Sequence, residues 1–204
     1  MGITERRARE KDDLRRQILA TATEMFVAEG YESVSMRKIA ERIEYAPSTI
    51  YLYFKDKGEM VASICYDTFA ELERRMEKIR VLELPPMETL RRSLREYLEF
   101  ALENRSAYSF VMSPPVAVIS SLDPKTFESI HEVALQAFDR LRTGMRLCME
   151  AGEIAPGDLE AKVQATYLFV HGVALGLNYN CGFPFIDKDI LLEHVLDRVL
   201  GSLK

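Results

Sequence analysis

An all-α protein of about nine helices is the fold class that this sequence predicts. Three observations carry that expectation. Apolar residues recur at spacings of three and four along most of the chain. No segment sustains the apolar–polar alternation of a strand bounded by hairpin turns. The interruptions are of the kind that end helices: Gly30, "ELPPME" at 83–88, Pro114-Pro115, "EAGEIAPGD" closing near 151–158, and "CGFPFID" after it. There is no internal repeat and no low-complexity tract.

Each element has a local reason. A first helix over about 12–29 carries Leu14, Ile18, Ala22, Met25 and Phe26 as one stripe, and Gly30 ends it. Ser35 caps a short second helix, about 36–43, with Met36, Ile39, Ala40 and Ile43 inward. The three-residue turn Glu44-Tyr45-Ala46 leads to a third helix ending near Phe54. Pro47 stands at its first position, where no backbone donor is lost. A long fourth helix follows over about 57–79, then a fifth over 86–103 and a sixth from Ser106 to Ser113. Asp123 or Pro124 opens a seventh. The eighth spans about 158–180 and the ninth about 187–203.

Composition narrows the function classes. The 204 residues carry a net charge of −5, so the total says nothing for a polyanionic partner. Its distribution does. Residues 1–57 hold 11 Lys and Arg against 10 Asp and Glu, whereas 58–204 hold 16 against 22. A polyanion would meet the head of the chain rather than its body. Cys65, Cys148 and Cys181 are odd in number and far apart, which fits neither a disulfide framework nor a zinc site. They read as small buried apolar residues in a reducing, cytoplasmic setting. The charged start "MGITERRAREKDD" has no apolar core of a secretory signal, and Arg6 breaks the myristoylation pattern. Residues 163–186 contain no Asp, Glu, Lys or Arg. Gln164, Thr166, His171, Asn178, Asn180 and Pro184 within them favour a helix buried on two sides over a membrane span.

Helices two and three, short and joined by three residues, have the spacing of a helix-turn-helix, whose second helix enters the DNA major groove. At 100° per residue Ile50 and Phe54 face the core, while Ser48, Thr49 and Leu52 face away. Tyr51 and Tyr53 lie on the borders, where a ring can pack and its hydroxyl reach a phosphate. Lys57 opens the next helix, whose charge and free backbone N–H groups suit a phosphate. Arg37 can reach base edges. Tyr45 is expected to pack inward. The same residues also fit a small helical bundle with tyrosines on its surface.

The stretch "ILATATEMFVAEGYESVSMRKIAERIEYAPSTIYLYFKDKGEM" resembles the DNA-binding head of the tetracycline-repressor (TetR) family of bacterial transcription regulators. The likeness covers about residues 14–62. It includes the F-x-x-x-G-Y at the end of helix one, "SMRKIA" in helix two, and T-I-Y-x-Y-F-x-x-K across helix three. The resemblance implies that Arg37, Pro47, Ser48 and Tyr51 face bases and that Ser35, Thr49, Tyr53 and Lys57 hold the backbone. Two positions depart from the family. Glu44 stands where glycine is usual, and a left-handed conformation there costs about 1 kcal/mol. Ala46 stands where a capping Ser or Thr is frequent, at a similar cost of about 1 kcal/mol. The preceding arm, "TERRAREKDDLRR", reads either as a mobile phosphate-binding arm or as a frayed terminus.

The body reads as a surface for a second subunit and a chamber. Ala165, Gly172 and Gly176 on helix eight permit close approach of another helix. Helix nine carries Leu192, Val195, Leu196 and Val199 among more apolar residues than one core face needs. The family resemblance implies dimerisation through these last two helices. "YLFVHGVALGL" is also similar to the W-x-x-x-H-G signature of a C-terminal subgroup, with Tyr167 in place of tryptophan. The residues placed to line a chamber are Phe69, Tyr97, Phe100, Ala101, Tyr108, Met112, Phe127, Phe138, Met145, Tyr167 and His171. Ordinary core packing is the rival reading of each.

Glu128 and His131 form a single Glu-x-x-His, where a di-iron bundle needs two and further carboxylates. No nucleophile triad, phosphate loop or metal spacing appears. The expectation is a non-enzyme without metal or cofactor. Residues 1–57 form its DNA-binding domain and 58–204 its ligand-binding and dimerisation domain. It would act as a repressor, binding palindromic double-stranded operator DNA as a homodimer, released by a small apolar or amphipathic effector, with no membrane partner. Its rivals are a helical-bundle enzyme or carrier without DNA binding, and a constitutive DNA-binding protein with no inducer.

Overall fold

The computed structural model describes residues 2–112, 114–179 and 182–204. The reading of Cys181 as buried, and the helix ends placed at Ser113 and Asn180, lie outside the described residues. Ten helices and no strand occur among the described residues: α1 Ile3–Glu29, α2 Met36–Arg42, α3 Pro47–Tyr51, α4 Lys57–Arg80, α5 Pro86–Glu103, α6 Arg105–Met112, α7 Val116–Ser121, α8 Pro124–Glu150, α9 Leu159–Asn178 and α10 Lys188–Gly201.

The tenth helix is α7, in a stretch expected as a connection. Pro115 at its N-cap has φ −57° and no donor to lose, so it starts a helix after Pro114-Pro115 has prevented one. α1 begins nine residues earlier than expected. The arm is rich in Arg, Glu, Lys and Ala, all good helix formers, and Arg6 pairs with Glu10 one turn on at 3.3 Å. It is therefore a helical extension rather than a frayed strand of chain. Ser35 caps α2 as the sequence places it, and three aspartates near expected helix starts also act as caps. Ser35 Oγ accepts from Lys38 N, Asp123 Oδ1 from Thr126 N, Asp158 Oδ1 from Ala161 N, and Asp187 Oδ1 from Asp189 N and Ile190 N.

The contacts divide the chain into two compact units: the chain up to Thr68 with Ser106–His131, and Phe69–Arg105 with Glu132–Lys204. In the first, α1 contributes Ile18, Ala22 and Phe26, α2 Ile39 and Ala40, and α4 Met60, Val61 and Ile64. Ile50 and Phe54 close this core, as the helical wheel requires. Two of its members are remote in sequence. Phe110 of α6 stacks on Phe26 with ring centroids 5.4 Å apart, and Val118 of α7 is buried beside them.

In the second unit α5 packs against α9 and α10. Leu90, Leu94 and Leu98 of α5 are buried, as are Val163, Val170 and Ala174 of α9. Leu192, Leu196 and Val199, expected at a subunit interface, are instead buried in this core; the first two have no exposed surface at all. The excess of leucines on α10 left the choice of inward face open. In the structure the face of Leu192 and Leu196 turns inward, and ion pairs between α5 and α10 flank that contact. Arg91 bonds Asp197 at 2.8 Å and also Glu193, and Arg95 bonds Asp189 at 3.0 Å and also Glu193. Arg91, then burial acting against it, then Arg95, set the Glu193 carboxyl, which lies below its ordinary range.

Glu44 adopts φ +60°, the left-handed region that the turn before α3 demands. Glu44→Gly is expected to raise stability by about 1 kcal/mol, because glycine has no Cβ to strain there. Denaturant titration of the two proteins checks this; an unchanged midpoint would show that the turn accommodates glutamate freely.

Candidate nucleic-acid interface

The turn and the two short helices fix one outward face. Tyr45 N donates to Ala40 O at 2.9 Å, which pins the turn to the end of α2. Ala46, the N-cap of α3, makes no side-chain cap bond, and Pro47 fills the first helical position. α3 ends at Tyr51, earlier than expected. The chain then tightens: Leu52 N donates to Thr49 O and Tyr53 N to Ile50 O, at 3.2 and 2.9 Å. This keeps Phe54 in the core. Pro47, Ser48, Tyr51 and Leu52 are left exposed together, one turn apart. Thr49 and Tyr53 are half-buried, nearer the core than the wheel placed Thr49.

Ser35 is exposed while it caps α2. Arg37 is exposed and its Nε donates to Glu41 Oε1 at 3.0 Å, a pairing that a base or phosphate would have to displace. Tyr45 is a correction. It is 43% exposed rather than packed inward, directly after the left-handed Glu44.

Lys57 is more constrained than the sequence suggests. Its Nζ donates to the Tyr31 carbonyl at 2.8 Å and lies 4.1 Å from the centre of the Tyr31 ring. Burial holds its ammonium below the ordinary lysine range, with Glu32 opposing. Two further donors remain on Nζ. The hydroxyls of Tyr31 and Ser121 are hydrogen-bonded at 2.9 Å, so α7 reaches the residue that holds Lys57. The backbone donors at the start of α4 are not all free, contrary to expectation. Asp56 Oδ1 accepts from Glu59 N at 2.8 Å, and Glu59 Oε2 accepts from Lys55 N at 2.7 Å. These side chains border an open cleft of about 780 Å³, lined by Ser35, Tyr51, Lys55 and Lys57 among others. Lys55 is exposed there as a further cation beyond those expected, and its position in "FKDK", two residues before Lys57, is the signal for it in the sequence.

The chamber candidates do not form one set. Tyr108, Met112 and Phe127 belong to the first unit. Tyr108 is buried, Met112 half-buried, and Phe127 exposed, stacked on His131 at 6.0 Å. In the second unit Phe69, Phe100, Ala101 and Met145 are buried and Tyr97 is half-buried. Phe138, Tyr167 and His171 come together. Phe138 meets Tyr167 edge-on at 5.5 Å, and Tyr167 stacks on His171 at 5.3 Å. Burial lowers the His171 pKa. Burial likewise pushes the Cys65 thiol up to about 12 and the Cys148 thiol to about 11, the latter with help from Glu153, so neither is reactive.

α9 has two faces. One packs on α5. The other exposes Ala165, Leu168, Phe169, Gly172 and Gly176, with Tyr179 exposed just past its end. No helix among the described residues is long and apolar enough to cross a membrane, and no His, Cys, Asp and Glu cluster there could hold a metal.

Comparison with known proteins agrees with this geometry. Residues 18–64 match the family described as bacterial regulatory proteins, tetR family, and residues 90–199 match the tetracyclin repressor-like C-terminal domain. The HTH-type transcriptional regulator YhgD of Bacillus subtilis, itself uncharacterized, is 31% identical over 179 residues, covering 88% of this chain and 91% of its own. A tetR-family regulatory protein from Rhodococcus RHA1 superimposes with a TM-score of 0.78 at 19% identity, covering 93% of this chain and 96% of its own. AibR, solved with isovaleryl coenzyme A and operator DNA, has a TM-score of 0.72 at 20% identity, covering 93% and 97%. A helix-turn-helix with an outward polar face, matched over its whole length and continued by the matching C-terminal domain, makes this chain a member of the tetR family of bacterial transcription regulators, not an enzyme.

Proposed function

We propose that the protein is a repressor that binds palindromic operator DNA as a homodimer and is released by a small-molecule effector. The observation that carries the DNA-binding part is the outward face of α3. Ile50 and Phe54 anchor the helix, and Pro47, Ser48 and Tyr51 stand clear of the core. In this reading Arg37, Pro47, Ser48 and Tyr51 meet base edges, while Ser35, Thr49, Tyr53 and Lys57 hold phosphates. Residues 1–57 form the DNA-binding domain and 58–204 serve ligand and partner.

The outward face of α9 supports the dimer. A glycine inside a helix costs roughly 1 kcal/mol relative to alanine. A Cβ added at Gly172 or Gly176 would meet nothing within 4 Å in the single chain. Nothing among the described residues therefore requires glycine at either position, whereas the close approach of a second helix would. Val195, half-buried on α10, can join that contact.

Two features of the second unit support an effector site there: the aromatic group of Phe138, Tyr167 and His171, and a polar handle on α9. Asn178 Nδ2 donates to the Ala101 carbonyl at 3.0 Å, yet its Oδ1 is buried with no hydrogen-bond partner among the described residues. An apolar molecule with a single N–H or O–H group matches that pairing. Binding of the effector would favour a conformation whose two heads no longer fit the operator, by the difference in its affinity for the two conformations.

Titration of the protein with duplex DNA over a salt series tests the DNA assignment. Arg37→Ala should cost about 1–3 kcal/mol at one base pair and relax the preference there. Lys57→Ala should weaken binding to all sequences and reduce the salt slope by about 1. Loss of neither would remove both residues from the interface.

A further inference from the structure

We infer that Leu52 is a specificity-determining residue that reads the C5-methyl group of a thymine. The inference rests on the DNA-binding reading above and adds to it a base identity and the atom group recognised. Leu52 is 79% exposed, although it directly follows the last residue of α3. It lies one turn beyond Ser48 and beside Tyr51, both exposed. The other residues of that face are proline, a small hydroxyl residue and an amphipathic phenol, so Leu52 is its one large aliphatic side chain.

A single exposed leucine is ordinary on a protein surface and by itself means nothing. Two features set this one apart. The local structure gives it no packing role: the inward positions are filled by Ile50 and Phe54, and the turn after Tyr51 points Leu52 away from them. Its companions are the polar side chains proposed to meet the major groove. In that groove every base pair edge offers hydrogen-bonding groups, and thymine alone adds an apolar methyl. A leucine cannot satisfy the donors and acceptors of guanine, cytosine or adenine edges, and placing it against them strips those groups of water without replacement. Against a thymine methyl it removes apolar surface from water on both partners. Leu52 therefore selects thymine by attraction and rejects the other bases by uncompensated desolvation.

The methyl group can be removed alone, by replacing dT with dU. The wild-type chain first selects a duplex from a random pool. Each dT in one half-site is then replaced by dU, and affinity is measured for the wild type and for Leu52→Ala. The wild type should lose roughly fourfold at one dT position, the value for one buried methyl group. Leu52→Ala should bind the dT and dU duplexes equally at that position. The substitution alters an exposed side chain, so unchanged helicity and thermal midpoint confirm a folded variant. A wild type indifferent to every dU replacement, or a Leu52→Ala variant that keeps the full dU penalty, overturns the inference while DNA binding stands. Failure of the wild type to select any duplex overturns the DNA-binding reading itself, and the inference with it.

Discussion

Leu168→Asp combined with Phe169→Asp is expected to leave the chain folded but monomeric, and to weaken binding to a duplex with two half-sites by about 10²- to 10⁴-fold. Both side chains lie on the outward face of α9, 66% and 44% exposed. Neither side chain is part of the buried core, so the fold should survive their replacement. In a twofold dimer each is buried once per subunit, and full burial of such a side chain is worth about 1.5–3 kcal/mol. Replacing them with carboxylates exchanges that gain for the burial of unpaired charge. The DNA effect follows from geometry rather than from the lost contacts themselves. One helix-turn-helix reads a few base pairs, and the second half-site is bound tightly only because the dimer holds the other head nearby. Sedimentation equilibrium reports the first consequence and DNA titration the second. A variant that remains dimeric would move the subunit contact away from this face of α9.

Phe110→Ala is expected to cost about 3–5 kcal/mol of stability, as expected for a buried aromatic replaced by alanine. The phenyl ring is 2% exposed and stacks on Phe26, which itself meets Tyr31 at 5.2 Å. Its removal leaves a cavity against the core that orients α3. Denaturation should show the loss, and DNA affinity should fall at temperatures where the first unit begins to open. Phe110→Leu, which refills much of the volume, should recover most of both. A full-stability Phe110→Ala protein would mean that α6 is not part of that core.

That core also marks the limit of what the sequence reveals. Local signals are strong at helix ends, so Ser35 is assigned as a cap and the starts near Asp123, Asp158 and Asp187 are located from their neighbours. The left-handed conformation of Glu44 is signalled only through the family resemblance, which puts glycine at that position. Contacts between segments remote in sequence leave no such mark. Nothing local to "AYSFVM" indicates that Phe110 belongs with Phe26. The inward face of α10 is hidden for a related reason: its leucines cover more than one face, and the choice depends on packing against α5 and α9, which are remote in sequence. Within the candidate site, the wheel places Ile50, Phe54, Ser48 and Leu52 correctly. It cannot foresee that Lys57 is held by the Tyr31 carbonyl, or that Asp56 and Glu59 occupy backbone donors at the start of α4. Those bonds depend on the path of a connection rather than on periodicity. α7 was hidden by the same rule that ends helices, since a proline pair both stops one helix and starts the next.

The central claim is that the outward face of α3, presented twice by a dimer, reads DNA sequence. Selection of duplexes by the wild-type protein from a random pool tests it most directly. The expected product is an inverted repeat whose half-site centres are separated by about one helical turn, roughly 10 base pairs, or a multiple of it. Recovery of a pool with no enriched sequence at low salt would contradict the claim.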